Sequence, residues 1–221
     1  MENEEKLKEI AKQLAQPSGT KGLEIADMMQ HTNANMTRHA IEQLKLEATD
    51  NVLEIGHGNA GHLAEVFQKH PTIHYQGLEI SELMHAQAKE KNASFIAVEK
   101  ANFSLYAGKS IPYAQASFDK VFSVNTIYFW QEPLQMLQEI SRVLKTDGLL
   151  VLTFALKSFM NSLPFTAYGF ELYDLDMLKS LTKGSSLSLQ ASEVQTESVK
   201  SKTGEQVQRE YISVLFKKLA E

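Results

Sequence analysis

The residues with the clearest chemical potential form the segment VLEIGHGNAG at positions 52–61. An apolar run leads into Gly56 and Gly58, and a helical pattern follows. Glycine allows a tight turn and lets a ligand approach the backbone with no side chain between them. Free amide groups at the start of the next helix favour a polar or anionic group. We therefore predict that the tail of a ligand contacts Gly56, His57, Gly58 and Asn59.

Two carboxylates narrow the identity of this ligand. Glu79, followed by Ile80, stands in YQGLEIS at the end of the next predicted strand, where an acid can accept two hydrogen bonds from a ribose diol. Glu54 precedes the first glycine by two residues and can hold an ammonium group. The glycine spacing also fits a dinucleotide fingerprint, but a carboxylate at position 54 would repel a pyrophosphate. The two acids therefore favour S-adenosylmethionine over a nicotinamide cofactor.

A parallel sheet would bring these groups together, because the carboxyl ends of parallel strands meet at one edge. From Asn51 onward, short apolar runs alternate with amphipathic helical patterns, which is typical of such a sheet with helices on both faces. The predicted strands are 51–55, 73–79, 94–98, 119–125 and 149–154. The predicted helices between them are about 60–69, 81–91 and 133–144.

Further elements flank this alternation. Residues 155–172 are apolar without a clean period, which predicts a cover over the pocket. The turn Lys202-Thr203-Gly204 predicts that the two segments it joins pair antiparallel. The remaining predicted elements are helices at 4–15, 22–46 (in two pieces broken near 31–35) and 173–183, and β-type segments at 186–200 and 206–217.

The motifs resemble the class I S-adenosylmethionine-dependent methyltransferases, in particular their type 11 branch, whose substrates are small molecules. VLEIGHGNAG is similar to the first motif of the family, YQGLEIS to the acidic end of its second strand, and residues 117–154 to its fourth to sixth motifs. The similarity covers about residues 30–155, and its last stretch is the most specific. The resemblance implies an α/β fold, a Rossmann-like doubly wound sheet of about seven strands with an antiparallel C-terminal strand, plus N-terminal helices.

The resemblance also implies roles for individual residues. Gly56 and Gly58 would line the methionine part of S-adenosylmethionine. Glu54 would reach the amino group of that part, and Glu79 would bind the ribose. These roles agree with what the residue types alone predict.

Residues after the third and fourth strands complete the expected site. By the resemblance, Asn125 lies beside the methionyl chain, and Glu99 faces the adenine, with Asn102 as the second choice. Tyr128 and Trp130 follow the fourth strand, at the edge where ligands of open α/β sheets bind. They are candidates for contact with the methyl acceptor, and packing against the covering segment is the alternative of equal weight.

The sequence assigns no catalytic base. Methyl transfer from a sulfonium requires an aligned nucleophile and the exclusion of water, so a base is optional. His31, His57 and His85 are candidates for the neighbourhood of the site, although packing or surface roles are commoner for single histidines. His57 and His62 have loose metal-ligand spacing without a third ligand, so no metal site is predicted. The alternative functions are a cofactor-binding module without transferase activity and, after it, an NAD-dependent oxidoreductase.

The composition limits the classes of function. The 221 residues suit one α/β domain at 47–221 with a helical extension at 1–46, which is expected to form a cap over the acceptor together with residues 155–172. A net charge of -5 creates no field that would attract nucleic acid, and the lack of cysteine excludes disulfides and thiolate metal ligands. Without a long apolar run or a leader pattern, we predict a cytoplasmic monomer or homodimer that acts on a small molecule.

Overall fold

The computed structural model of the protein describes residues 2–200 and 206–220, and a single mixed sheet forms its centre. The strands are β1 (Asn51–Ile55), β2 (His74–Glu79), β3 (Ala101–Leu105), β4 (Phe118–Val124), β5 (Leu144–Ala155), β6 (Leu187–Lys200) and β7 (Gln206–Lys218). Within the described chain they pair in the order β3-β2-β1-β4-β5-β7-β6. Strands β1 to β5 are parallel, and β7 is antiparallel to both of its neighbours. The predicted Rossmann-like class with an antiparallel C-terminal strand is confirmed.

The helices agree with the predicted pattern except at one place. They are α1 (Glu2–Ala15), α2 (Gly19–Thr32), α3 (Ala34–Leu44), α4 (Leu63–Lys69), α5 (Glu82–Lys91), α6 (Ala93–Ala97), α7 (Pro133–Val143), α8 (Lys157–Met160) and α9 (Leu175–Thr182). The predicted break in the second helical region falls at Asn33, between α2 and α3. The predicted turn Lys202-Thr203-Gly204 lies outside the described residues.

The exception is the third strand, whose predicted position at 94–98 is wrong. Most of that run forms α6, where Phe95 packs against Phe67 of α4 with 4.5 Å between the ring centroids. Strand β3 follows it, with Ala101 and Phe103 buried and the residues between and after them more exposed. A short apolar run is compatible with a helix and with a strand, so its pattern alone does not distinguish them. Here the packing against α4 stabilises the helix.

Helices cover both faces of the sheet. Helices α7 and α9 pack on one face, whereas α3 packs across β4, β5 and β7 on the other. Met36, Ala40 and Leu44 form the fully buried stripe of α3, at the four-residue spacing of a helix face. Helix α3 therefore belongs to the layers that enclose the sheet.

Helices α1 and α2, which we call the cap (residues 2–32), lie over the carboxyl edge of the sheet. Gln16 donates through Nε2 to the carbonyl oxygen of Ile80 at 2.9 Å, and the hydroxyl of Ser81 donates to the carbonyl oxygen of Pro17 at 2.6 Å. Both bonds attach the cap to the turn after β2. This turn is where the sequence analysis places the ribose of the ligand.

Candidate functional site

A cavity of about 560 Å³ lies between the cap, α3 and the carboxyl ends of β1, β2 and β4. This volume is within the range of small-molecule sites, which is about 300–1,000 Å³. Every predicted cofactor or acceptor residue except Glu99, its alternative Asn102, and Tyr128 is part of its lining. These residues are Glu54, Gly56, His57, Gly58, Asn59, Glu79, Ile80, Asn125 and Trp130.

The glycine turn after β1 exposes bare backbone to this cavity. Gly56 and Gly58 have left-handed φ values of 75° and 57°. A Cβ on Gly56 would lie 2.3 Å from Cγ2 of Thr126, so the turn packs too tightly there for any side chain. A Cβ on Gly58 would meet nothing within 4 Å, which shows that this backbone borders open space. The turn therefore offers the uncovered surface that the tail of a ligand needs.

Glu79 joins this turn to the one after β2. Its Oε2 accepts from the N–H of Gly58 at 2.9 Å, and its Oε1 accepts from the N–H groups of Ile80 and Ser81 at 2.8 and 3.0 Å. Burial raises the pKa of Glu79, although the backbone N–H groups act in the opposite direction. Each carboxylate oxygen has two lone pairs, so Oε2 keeps one acceptor direction for a hydroxyl of a ligand.

Glu54 is a buried carboxylate in the cavity wall. Its Oε2 accepts from the hydroxyl of Tyr75 and from Nε2 of His62, the latter at 2.9 Å. Burial by itself would raise the pKa of Glu54, but the charge of His62 and the hydrogen bonds from His62 and Tyr75 lower it below its usual value. The negative charge that remains suits an ammonium group of a ligand.

The side chain of His57 lies beneath the glycine turn. Its ring packs edge-to-face on Phe103, with 4.9 Å between the centroids, and a Cβ on Gly77 would lie 2.6 Å from its Cδ2. Its Nδ1 is 2.7 Å from the carbonyl oxygen of Gly58, which can only accept, so Nδ1 carries the proton. Burial lowers the pKa of His57 to about 4. The ring therefore supports the turn in its neutral form.

This pKa predicts an acid-sensitive fold. In the unfolded chain the His57 pKa returns to about 6.5, so the unfolded state binds more protons between pH 6.5 and 4, and stability falls as the pH falls through that window. The loss due to this residue is about 3 kcal/mol. In His57→Asn the amide can still donate to Gly58. Urea unfolding at several pH values should show that this variant loses about 3 kcal/mol less of its free energy of unfolding on acidification than the wild type. Equal acid loss in both proteins would contradict this role.

Asn125 and the aromatic residues after β4 occupy different positions. Asn125 lines the cavity with a φ of 59°, and its Oδ1 accepts from the N–H of Ala155 at 3.2 Å. Trp130 lines the cavity as well. The Tyr128 side chain is buried outside the lining, donates to the carbonyl oxygen of Ala155 at 2.9 Å and lies 5.8 Å from the ring of Phe170. Tyr128 is thus a packing residue, because the short 3-10 turn at 127–129 directs it inward.

Glu99 does not join the other predicted residues. It lies in an exposed turn before β3, at the opposite edge of the sheet from Glu79. The misplaced third strand explains this position. The prediction took α6 for the third strand and placed Glu99 at its carboxyl end, whereas Glu99 lies before the first residue of β3. Asn102, the second choice, is exposed on β3 and donates to Gln76 at 3.0 Å. Tyr106, the residue that directly follows β3, lines the cavity instead.

Gln30 of the cap is a further residue of the site that the sequence did not identify. Gln30 of α2 lines the cavity and accepts through Oε1 from the side chain of Asn59 at 2.7 Å. A Cβ on Gly61 would lie 2.4 Å from the amide of Gln30, so the glycine permits this close approach. The available signal was Gly61 itself, a glycine that the tight turn does not require.

The covering segment at 155–172 has a different place from the one predicted. No residue of this range is part of the described cavity lining, whose roof comes from α1, α2 and α3. The segment packs against α1 of the cap, with Nζ of Lys8 5.4 Å from the ring centroid of Tyr168. It therefore supports the roof and does not form it.

Among residues 2–200 and 206–220, no group of three or more His, Cys, Asp or Glu side chains is arranged to hold a metal ion. In the same part of the chain, no helix has the length and apolar character of a membrane span.

The central part of the chain matches a known family. Residues 53–152 match the type 11 family model described as "Methyltransferase domain". The uncharacterized methyltransferase YdaC of Bacillus subtilis is 26% identical over 128 residues, which cover 57% of this chain and 67% of that protein. The other curated relatives are matched over 28% to 56% of their length. The match thus includes most of β1, all of β2, β3 and β4, and most of β5, and with them the turns that form the cavity floor.

Solved structures share the fold. The YcgJ protein of Bacillus subtilis has a TM-score of 0.71 and 17% identity, over 85% of this chain and 100% of that chain. A protein of Methanosarcina mazei, described as one of the SAM-dependent methyltransferases, has a TM-score of 0.61 and 19% identity, over 82% of this chain and 97% of its own. At these identities the likeness is one of fold.

Proposed function

We propose that this chain transfers the methyl group of S-adenosylmethionine to a small organic acceptor, because residues 53–152 match the type 11 methyltransferase model and the fold resembles that of a SAM-dependent methyltransferase. The observation that carries the proposal is the pairing of the bare glycine turn with Glu79. The N–H of Gly58 and the carboxylate of Glu79 meet at 2.9 Å at the edge of one cavity. An adenosyl ligand needs this combination of open backbone and ribose acceptor.

The lining residues fit this cofactor. The open backbone at Gly58 and the adjacent Asn59 would hold the methionyl part, and the ionised Glu54 would hold its ammonium group. Glu79 would accept from the ribose, and Tyr106, after β3, would lie against the adenine. S-adenosylmethionine, when bound, supplies a methyl group on a positively charged sulfur.

The residues of this chain would promote the transfer mainly by alignment. The reaction is an in-line displacement, so holding the acceptor and excluding water account for most of the required catalysis. Phe129 and Trp130 border the cavity beside Asn125, where their rings can stabilise a cation and shield it from water. His57 and His62 are engaged with Gly58 and Glu54, so neither is a free base.

The acceptor that the cavity suits is small. S-adenosylmethionine itself would take up much of the 560 Å³, which leaves room for a compact molecule. The lining includes the apolar side chains of Met29, Phe129 and Trp130. The net charge of -5 gives no support to a nucleic-acid acceptor.

Methyl transfer can be tested directly. The purified chain, incubated with methyl-labelled S-adenosylmethionine and a cell extract divided by size, should place label in the low-molecular-weight fraction. Glu79→Gln serves as the matched inactive control. Tight cofactor binding without transfer to any fraction would favour a binding module, and label in nucleic acid or protein would contradict the small acceptor.

A further inference from the structure

A buried ion pair fixes the cap from the opposite end of the chain. Arg209 of β7 and Glu197 of β6 face each other directly in the strand register. Their side chains are 9% and 11% exposed, and Nη2 of Arg209 lies 2.6 Å from Oε1 of Glu197. The pairing of β5 with β7 ends at Ala155 and Tyr211, so this pair lies beyond the carboxyl edge of the sheet, on the side of the cavity.

The remaining donors of Arg209 reach the junction of α2 and α3. Its Nη1 donates to Oδ1 of Asn33 at 3.2 Å, and its Nη2 donates to the carbonyl oxygen of Thr32. Glu197 in turn accepts from the side-chain amide of Asn35 at 2.9 Å. A cation at the carboxyl end of a helix can donate hydrogen bonds to the free carbonyl groups there, and it interacts favourably with the negative end of the helix dipole. The pair therefore holds the last turn of α2 and the first turn of α3.

The same helix contacts the glycine turn through its preceding turn. Gln30 accepts from Asn59 at 2.7 Å and from Nζ of Lys91 at 3.1 Å. Gln30 and Thr32 are two residues apart, so a shift at the carboxyl end of α2 moves Gln30 relative to Asn59. One rigid helix thus connects Arg209 with the proposed cofactor site.

We propose that Arg209 is a positioning residue for the cofactor site and acts through α2. By holding Thr32 and Asn33, it keeps Gln30 on the glycine turn and the cap closed over the cavity. This role rests on the proposed function, since it concerns the cofactor pocket of the same site. It assigns to the C-terminal hairpin a part in cofactor binding, although neither of its strands lines the cavity.

Arg209→Ala should weaken binding of S-adenosylhomocysteine, the demethylated product, by about tenfold, a typical size for coupling through packed elements. Hydrogen–deuterium exchange should increase in α2 and remain unchanged in β1 and β4. Arg209→Lys should recover part of the affinity, because an ammonium group can still bond to Thr32 and Glu197. Titration calorimetry and exchange mass spectrometry measure these effects.

Two further variants control for loss of stability. Arg209→Met/Glu197→Met removes both charges, leaves no unpaired buried charge and should still bind more weakly than the wild type. Lys217→Met breaks the exposed pair with Asp147 at the other end of β7 and should bind normally. Failure of the wild type to bind S-adenosylhomocysteine would contradict the proposed function. Normal binding by the wild type, by Arg209→Ala and by Arg209→Met/Glu197→Met, or unchanged exchange in α2, would overturn the role of Arg209 alone.

Discussion

Replacing Gly56 with alanine should lower the free energy of unfolding by about 2–4 kcal/mol, from left-handed strain and overpacking together. The φ of this residue is 75°, and the new Cβ would lie 2.3 Å from Cγ2 of Thr126. The hydroxyl of Thr126 is bonded to that of Ser123, which limits its retreat. The turn would shift against Glu79, and binding of S-adenosylhomocysteine should weaken by about a hundredfold or more. Urea unfolding and titration calorimetry measure the two effects.

A second substitution separates the clash from the backbone strain. Gly56→Ala/Thr126→Ser removes Cγ2 but keeps the hydroxyl, so it should recover about 1–3 kcal/mol, the overpacking share of the loss. Gly58→Ala has similar strain but free space around the Cβ, and should therefore destabilise the fold less than Gly56→Ala. If Thr126→Ser restores no stability to Gly56→Ala, the proposed packing of the turn is incorrect.

Glu79→Gln should weaken S-adenosylhomocysteine binding by about tenfold to a hundredfold, because the hydrogen bond from a ribose hydroxyl to the free acceptor direction of the carboxylate contributes about 1.5–3 kcal/mol. The glutamine amide would also place a donor against the N–H groups of Gly58, Ile80 or Ser81, which the carboxylate now accepts from. The turn after β1 would lose its connection to β2. Titration calorimetry with S-adenosylhomocysteine is the measurement.

The matched control for this change is Glu82→Gln. Glu82 is exposed in the first turn of α5, three residues further along the chain, and the substitution removes the same charge. Its affinity should stay close to that of the wild type. An affinity of Glu79→Gln within about threefold of the wild type would show that Glu79 does not hold the ribose. Such a loss is smaller than the contribution of one hydrogen bond to a charged group.

Local patterns were sufficient to predict most of the sheet. The apolar runs before Gly56 and Glu79 are long enough and clearly enough bounded to locate β1 and β2, and hence the two groups that they place at one edge. The run at 94–98 has the same local character as a strand. Only its packing of Phe95 on Phe67, a contact between distant segments, makes it a helix. For that reason the prediction placed Glu99 beside the cofactor, whereas the structure places it at the opposite edge of the sheet.

The parts of the site that the sequence did not reveal depend on tertiary contacts. Gln30 reaches Asn59 because the cap folds back over the sheet, and Arg209 reaches Thr32 across most of the chain. Neither contact has a periodic signal. Tyr128 and Trp130 share one aromatic run, and only the short turn at 127–129 separates a packing residue from a lining residue. The sequence therefore predicts the floor of the cavity better than its roof.

The crystal structure of the complex with S-adenosylhomocysteine is the most direct test of the central claim. We expect a ribose hydroxyl within hydrogen-bond distance of Glu79, the homocysteine part over Gly58, and its ammonium group at Glu54. A cavity that stays empty at saturating ligand, or a ligand bound with Glu79 and the glycine turn facing away from it, would contradict the account.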